Sequence, residues 1–90
     1  MPRYVIEREF PDTGKLSDAK IKAVAKQSCD VLLKMKETVH WEHSYVTDDK
    51  IFCVNLAPDE AAVRKHAEEG GFPANKILRV RRIIDPLTSE

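Results

Sequence analysis

The chain alternates between two hydrophobic rhythms. From Ile21 to Met35 the marked positions fall three and four residues apart: Ile21, Val24, Ala25, Ser28, Val31, Leu32 and Met35 form one helical stripe. Lys20, Lys22, Lys26, Asp30 and Lys34 fall mostly on the opposite side, Ser17 is suited to cap the helix, and Asp18 suits its positive end. Elsewhere the runs are short and rich in β-formers: Arg3 to Phe10, Val39 to Thr47, Lys50 to Leu56 and Ile77 to Ile84. Breakers separate them, namely Pro11-Asp12-Thr13-Gly14, Asp48-Asp49 and Asp85-Pro86. A second helix is expected to open at Ala57-Pro58-Asp59-Glu60, with Pro58 at its first position. It carries Val63 and Ala67 on its apolar stripe with His66 at the border, and stops at Gly70-Gly71, where glycine accepts the left-handed C-cap.

The resulting order, βαββαβ, predicts an α+β domain of the ferredoxin-like kind, a four-stranded antiparallel sheet with both helices on one face. Residues 1–90 form a single domain in this reading, with 86–90 a frayed tail. A wetted open face would require strands that alternate cleanly, yet Ile51-Phe52-Cys53-Val54 has scarcely a polar break. Something is therefore expected to cover the second face, and a second copy of the chain is the simplest cover: a homodimer packed sheet to sheet, a dimeric α+β-barrel type of association.

Hairpin register decides which side chains can meet. With a loop of two or four residues, Trp41, His43 and Tyr45 share a face with Phe52, Val54 and Leu56. His40, Glu42 and Ser44 then share the other with Ile51, Cys53 and Asn55. A three-residue loop would instead bring Cys53 onto the His43 face, and the sequence leaves both registers open.

Charge narrows the partners. Lys and Arg together number 15, matched by 15 acids, so no net field draws in nucleic acid or an anionic membrane. Arg79, Arg81 and Arg82 read as a solvated or ion-paired face. The opening residues are charged throughout, unlike a signal peptide, and no window approaches a membrane span; a cytoplasmic location is expected. There Cys29 and Cys53 remain thiols, and Cys29 reads as a buried structural one.

Among residues that could carry chemistry, His43 leads, as a metal ligand or proton-transfer group. His66 follows as a helix-border imidazole, and Cys53 is soft enough for nickel, zinc or copper as thiolate. His40 is expected to be exposed, and Glu42 and Asp59 to be surface charges. No HxH, HExxH or CxxC spacing is present. A different class of function would use Trp41, His43 and Tyr45 to line a cleft between sheet and helices that takes a small molecule, with His43 as acid or base. Gly70-Gly71-Phe72-Pro73 follows a helix rather than opening one and so is no phosphate loop. The aromatic pattern of an RNA-binding sheet is also missing.

Several segments carry a resemblance: YVIERE, SCDVL, WEHSYVTDDKIFCV, APDEAAVRKHA, GGFPANKI and RRIIDPLT. Together they resemble a family of small bacterial domains of formerly unknown function, later named after a nickel-binding streptomycete member. The resemblance implies a ferredoxin-like fold, a dimer and non-catalytic binding of nickel or a similar divalent transition metal. Carried onto this sequence, it implies His43 first, His66 second and Cys53 third as metal ligands.

Overall fold

The computed structural model describes residues 1–10, 12–35 and 38–90; Pro11, one of the breakers expected after the first strand, lies outside them. Strand β1 (Arg3–Glu9) leads through a 3-10 turn (Thr13–Lys15) to helix α1 (Asp18–Lys34). The hairpin β2 (His40–Val46) and β3 (Lys50–Leu56) precedes helix α2 (Glu60–Gly70), strand β4 (Lys76–Arg79) and a closing 3-10 turn (Pro86–Ser89). All pairings are antiparallel and the strand order is β2-β3-β1-β4. An antiparallel four-stranded sheet with two helices is consistent with the ferredoxin-like expectation.

The caps explain the helix limits. Ser17 accepts the Lys20 N–H through its side chain, as the sequence indicates. At α2 the cap is Asp59, whose carboxylate accepts the Ala62 N–H at 2.9 Å, so the helix starts at Glu60, two residues later than Pro58 suggested. Gly71 closes α2 in the left-handed region at φ 69°. Gly70 has no room for a side chain, because a Cβ there would run into the Phe72 ring folded back on the helix end.

Strand β4 ends at Arg79 rather than Ile84, because its partner runs out. Tyr4 faces Arg79, the Val80 N–H makes the last bond to the Arg3 carbonyl, and β1 has no strand residue before Arg3. The chain beyond is left with Ile83, Ile84 and Leu87 exposed. Residues Pro86–Ser89 take a 3-10 turn capped by Asp85.

Strand parity on β1 builds the core. Tyr4, Ile6 and Arg8 are buried on one face, and Tyr4 and Ile6 pack with Ala57, Ala62 and Val63. Helix α2 therefore seals one half of that face. Helix α1 does not seal the other: none of its residues is buried, although its expected stripe does face the sheet. Two polar ties hold it to α2 instead, Gln27 Nε2–H to the Gly70 carbonyl at 2.6 Å and Ser28 Oγ to His66 Nε2 at 3.2 Å. Cys29, expected to be buried, is exposed. It lies one residue past the inward-facing Ser28, a turn of about 100° that carries it to the side of Lys22 and Lys26.

Candidate ligand cavity between α1 and the sheet

The space left under α1 is a cavity of about 180 Å³. Ile21, Val24, Ala25 and Ser28 form its helix wall; Ile51, Cys53 and Asn55 of β3 and Trp41, Ser44 and Val46 of β2 form its floor. Arg8, His66 and Phe72 close one end. The walls are mostly apolar, with a few polar groups converging, the composition of small-molecule sites.

A bulge puts Trp41 there. The turn holds two residues, Asp48 and Asp49, so the register is the one that pairs His43 with Val54 and Tyr45 with Phe52. Between Trp41 and His43 the ladder shifts by one residue at Glu42. Trp41 consequently faces Asn55 across the strands and lines the cavity, while His43 and Tyr45 remain on the opposite, open face. The cleft trio of Trp41, His43 and Tyr45 is thus divided between two faces. His43 Nε2 lies 3.2 Å from the Tyr45 hydroxyl, and both side chains are exposed. The extra residue, Glu42, joins the open-face side chains and pairs with Arg3 at 2.7 Å; this hydrogen bond holds the Glu42 carboxyl below its ordinary range.

The three residues named as metal ligands are similarly divided. His66 and Cys53 line the cavity, and His43 lies across the sheet from them. Among the described residues no group of three or more His, Cys, Asp or Glu side chains is placed to hold a metal ion. His40, as expected, is exposed, and so is Asp59, although its carboxylate also serves as a helix cap.

The polar wall is a linked set. Trp41 Nε1–H donates to Ser44 Oγ at 2.9 Å, and Ser44 donates in turn to Cys53 Sγ at 3.0 Å. Arg8 Nε–H donates to the same sulfur at 3.3 Å, and Arg8 Nη1–H to the Pro73 carbonyl at 2.6 Å. The guanidinium also stands over the Phe72 ring, 5.5 Å from its centre. Two polar side chains remain incomplete. The Asn55 amide, 1% exposed, has no partner on either its oxygen or its nitrogen, and His66, 2% exposed, has none on Nδ1. Buried polar groups are nearly always satisfied, so each exception calls for an explanation.

Sequence reasoning did not single out Arg8, Asn55, Ser44 or Phe72. The signal for the first was its parity: in Tyr4-Val5-Ile6-Glu7-Arg8, Arg8 shares a face with Tyr4 and Ile6. The same rule sets Asn55 beside Cys53 and Ile51. Trp41 was named for a cleft between sheet and helices and does line the cavity, but parity grouped it with His43 and Tyr45, because a bulge leaves no mark in apolar alternation.

Burial pushes the His66 pKa below its ordinary 6.5, and the nearby Arg8 cation lowers it further against the opposing effect of Ser28 and Glu69. A depressed histidine binds fewer protons folded than unfolded. Its contribution to stability is therefore complete above pH 6.5 and falls as pH drops from there through the folded value. One such proton tilts stability by at most about 1.4 kcal/mol per pH unit. Chemical denaturation between pH 7.5 and 5 should show this slope in the wild type and a shallower one in His66→Gln; equal slopes would contradict the assignment.

Comparison with known proteins places this geometry. None of the curated proteins matches the chain. Among solved structures, the crystal structure of SCO4226 from Streptomyces coelicolor A3(2) matches with a TM-score of 0.78 over 91% of this chain and 99% of that one. The two sequences are 18% identical, so the likeness is one of fold. No helix among the described residues is long and apolar enough to cross a membrane. The family model described as nickel responsive protein SCO4226-like matches residues 4–80, most of the chain, and the protein belongs to that family.

Proposed function

We propose that this protein binds a small organic molecule in the cavity between α1 and the sheet. The observation that carries the reading is the Asn55 amide, sealed from solvent with neither end paired, on the floor of an apolar-walled space. An amide buried without hydrogen bonds costs roughly 1–3 kcal/mol, a loss that a ligand with matching polar atoms recovers. A helix held by two polar ties rather than by a packed face can also yield to admit a guest. The single tryptophan, Trp41, lines the cavity and reports on its contents. A panel of single-ring aromatic compounds should include members that shift Trp41 emission and raise the melting temperature in parallel. A ligand at one hundred times its Kd stabilises by about 2.7 kcal/mol. A panel that changes neither quantity would contradict the reading.

Nickel is the second reading, favoured by the family's description and by the open Nδ1 of His66, which lines the same cavity as Cys53. Imidazole nitrogen and thiolate sulfur are both acceptable donors to nickel. Such a site would use His66 and Cys53, and His43 could not join them within one chain. Calorimetric titration of untagged protein with a nickel salt should then give heat that His66→Gln or Cys53→Ser weakens tenfold or more and His43→Ala leaves unchanged. No heat from the wild type rejects nickel binding.

The partner we propose is a second copy of the chain on the open sheet face, an association of the dimeric α+β-barrel type. Support comes from Val5, Phe52 and Leu56, only half-buried, and from Tyr45 and Leu78, exposed at 60% and 56%. The ion pairs Arg3–Glu42 and Lys50–Glu7 flank this apolar strip. Light scattering should return twice the chain mass of 10.3 kDa, and Leu78→Asp should shift it towards the monomer. A wild-type mass of one chain at micromolar concentration would contradict the dimer.

A further inference from the structure

The reading of the cavity as a ligand site leaves the chemistry of its ligand open, and Arg8 supplies it. The Arg8 side chain is only 3% exposed, yet its two hydrogen bonds go to a thiol sulfur and a peptide carbonyl. Among the described residues no carboxylate stands within ion-pair distance of it. A guanidinium has five N–H donors and cannot shed its charge, so this is a buried cation with neutral partners and donors to spare. Removing an ion from water costs several kcal/mol unless a counter-charge meets it. The neighbouring cavity is where that counter-charge can come from.

We propose that the cavity selects a single-ring aromatic carboxylate bearing a hydroxyl or similar polar group opposite the carboxylate. The carboxylate seats on Arg8, whose planar fork matches it. Arg8 leans towards Cys53, and Asn55 follows Cys53 on the same face of β3, about 7 Å further along the strand. That spacing is close to the length of a para-substituted ring. The Asn55 amide has a free donor and a free acceptor that the surrounding side chains now close off, and once α1 yields to the guest it can pair with a hydroxyl in either sense. A cavity of about 180 Å³ holds one ring and its substituents, since one of about 150 Å³ accepts benzene. Trp41 and Phe72 among its lining residues supply aromatic surface for the ring.

The test is calorimetric titration of the full, untagged chain with 4-hydroxybenzoate, 4-hydroxybenzyl alcohol and benzoate. 4-Hydroxybenzoate should bind at least tenfold more tightly than either analogue. Arg8→Gln should remove the preference for carboxylate over alcohol, and Asn55→Leu should remove that for hydroxybenzoate over benzoate while carboxylate selectivity persists. Should Arg8→Gln fail to fold, wild type and Asn55→Leu still decide the matter through their ligand preferences. Equal affinity of wild type for acid and alcohol would overturn the carboxylate assignment and leave the cavity as a ligand site. No binding by any of the three would overturn the carboxylate proposal, and with the wider panel also silent it would remove the cavity reading as well.

Discussion

A permanently charged guanidinium inside the sheet–helix interface, met among the described residues only by neutral atoms, is the constraint around which this protein is arranged. Arg8 projects from the central strand β1 and ties three parts of the fold together: Cys53 on the neighbouring strand, the Pro73 carbonyl after α2, and the Phe72 ring that folds onto the end of that helix. Its charge also reaches His66 and favours the neutral imidazole. A leucine at this position would extend the core begun by Tyr4 and Ile6. An arginine there keeps one end of the interface polar and so keeps the space beside it available.

The same economy explains why the two helices behave differently. Helix α2 brings Ala62, Val63 and Ala67 directly against the sheet, small residues that let the backbone approach closely. Helix α1 turns a stripe of comparable apolarity towards β2 and β3 but leaves it only half-buried, held to α2 through Gln27 and Ser28. Interiors normally pack to crystal-like density, so an interior gap lined by an unpaired amide and an unpaired imidazole nitrogen is not an ordinary core. On the function proposed here, a guest molecule would fill the gap and satisfy the orphaned polar atoms together.

The elements were legible because each carries its own local chemistry: the period of α1, the Ser17 cap, the glycine stop after α2 and a turn at Asp48-Asp49 all read directly, whereas the length of that turn, and with it the register, came only from the pairing of β2 with β3. The site was less legible, for reasons particular to each residue. Arg8 sits between two glutamates, and linear sequence suggests a surface ion pair; only strand parity, counted from Tyr4 and Ile6, sends it inward. Trp41 moved to the helix face through the bulge at Glu42, a backbone irregularity that no side-chain pattern announces. The end of β4 depended on where β1 begins, a long-range fact absent from the Ile77 to Ile84 run itself. His43, conversely, drew notice for its residue type, whereas its register places it beside Tyr45 on the face away from the cavity.

The central claim is that real, fillable space lies beneath α1, and a larger side chain at Ala25, on the helix wall of the cavity, tests it most directly. In a closed core, added methylenes cost about 1–3 kcal/mol through overpacking. If the space is as described, Ala25→Leu leaves the denaturation free energy unchanged or raises it, with the added carbons occupying the gap. A loss of about 1–3 kcal/mol in Ala25→Leu would mean that α1 already packs tightly on the sheet, and the cavity with everything placed in it would have to be abandoned.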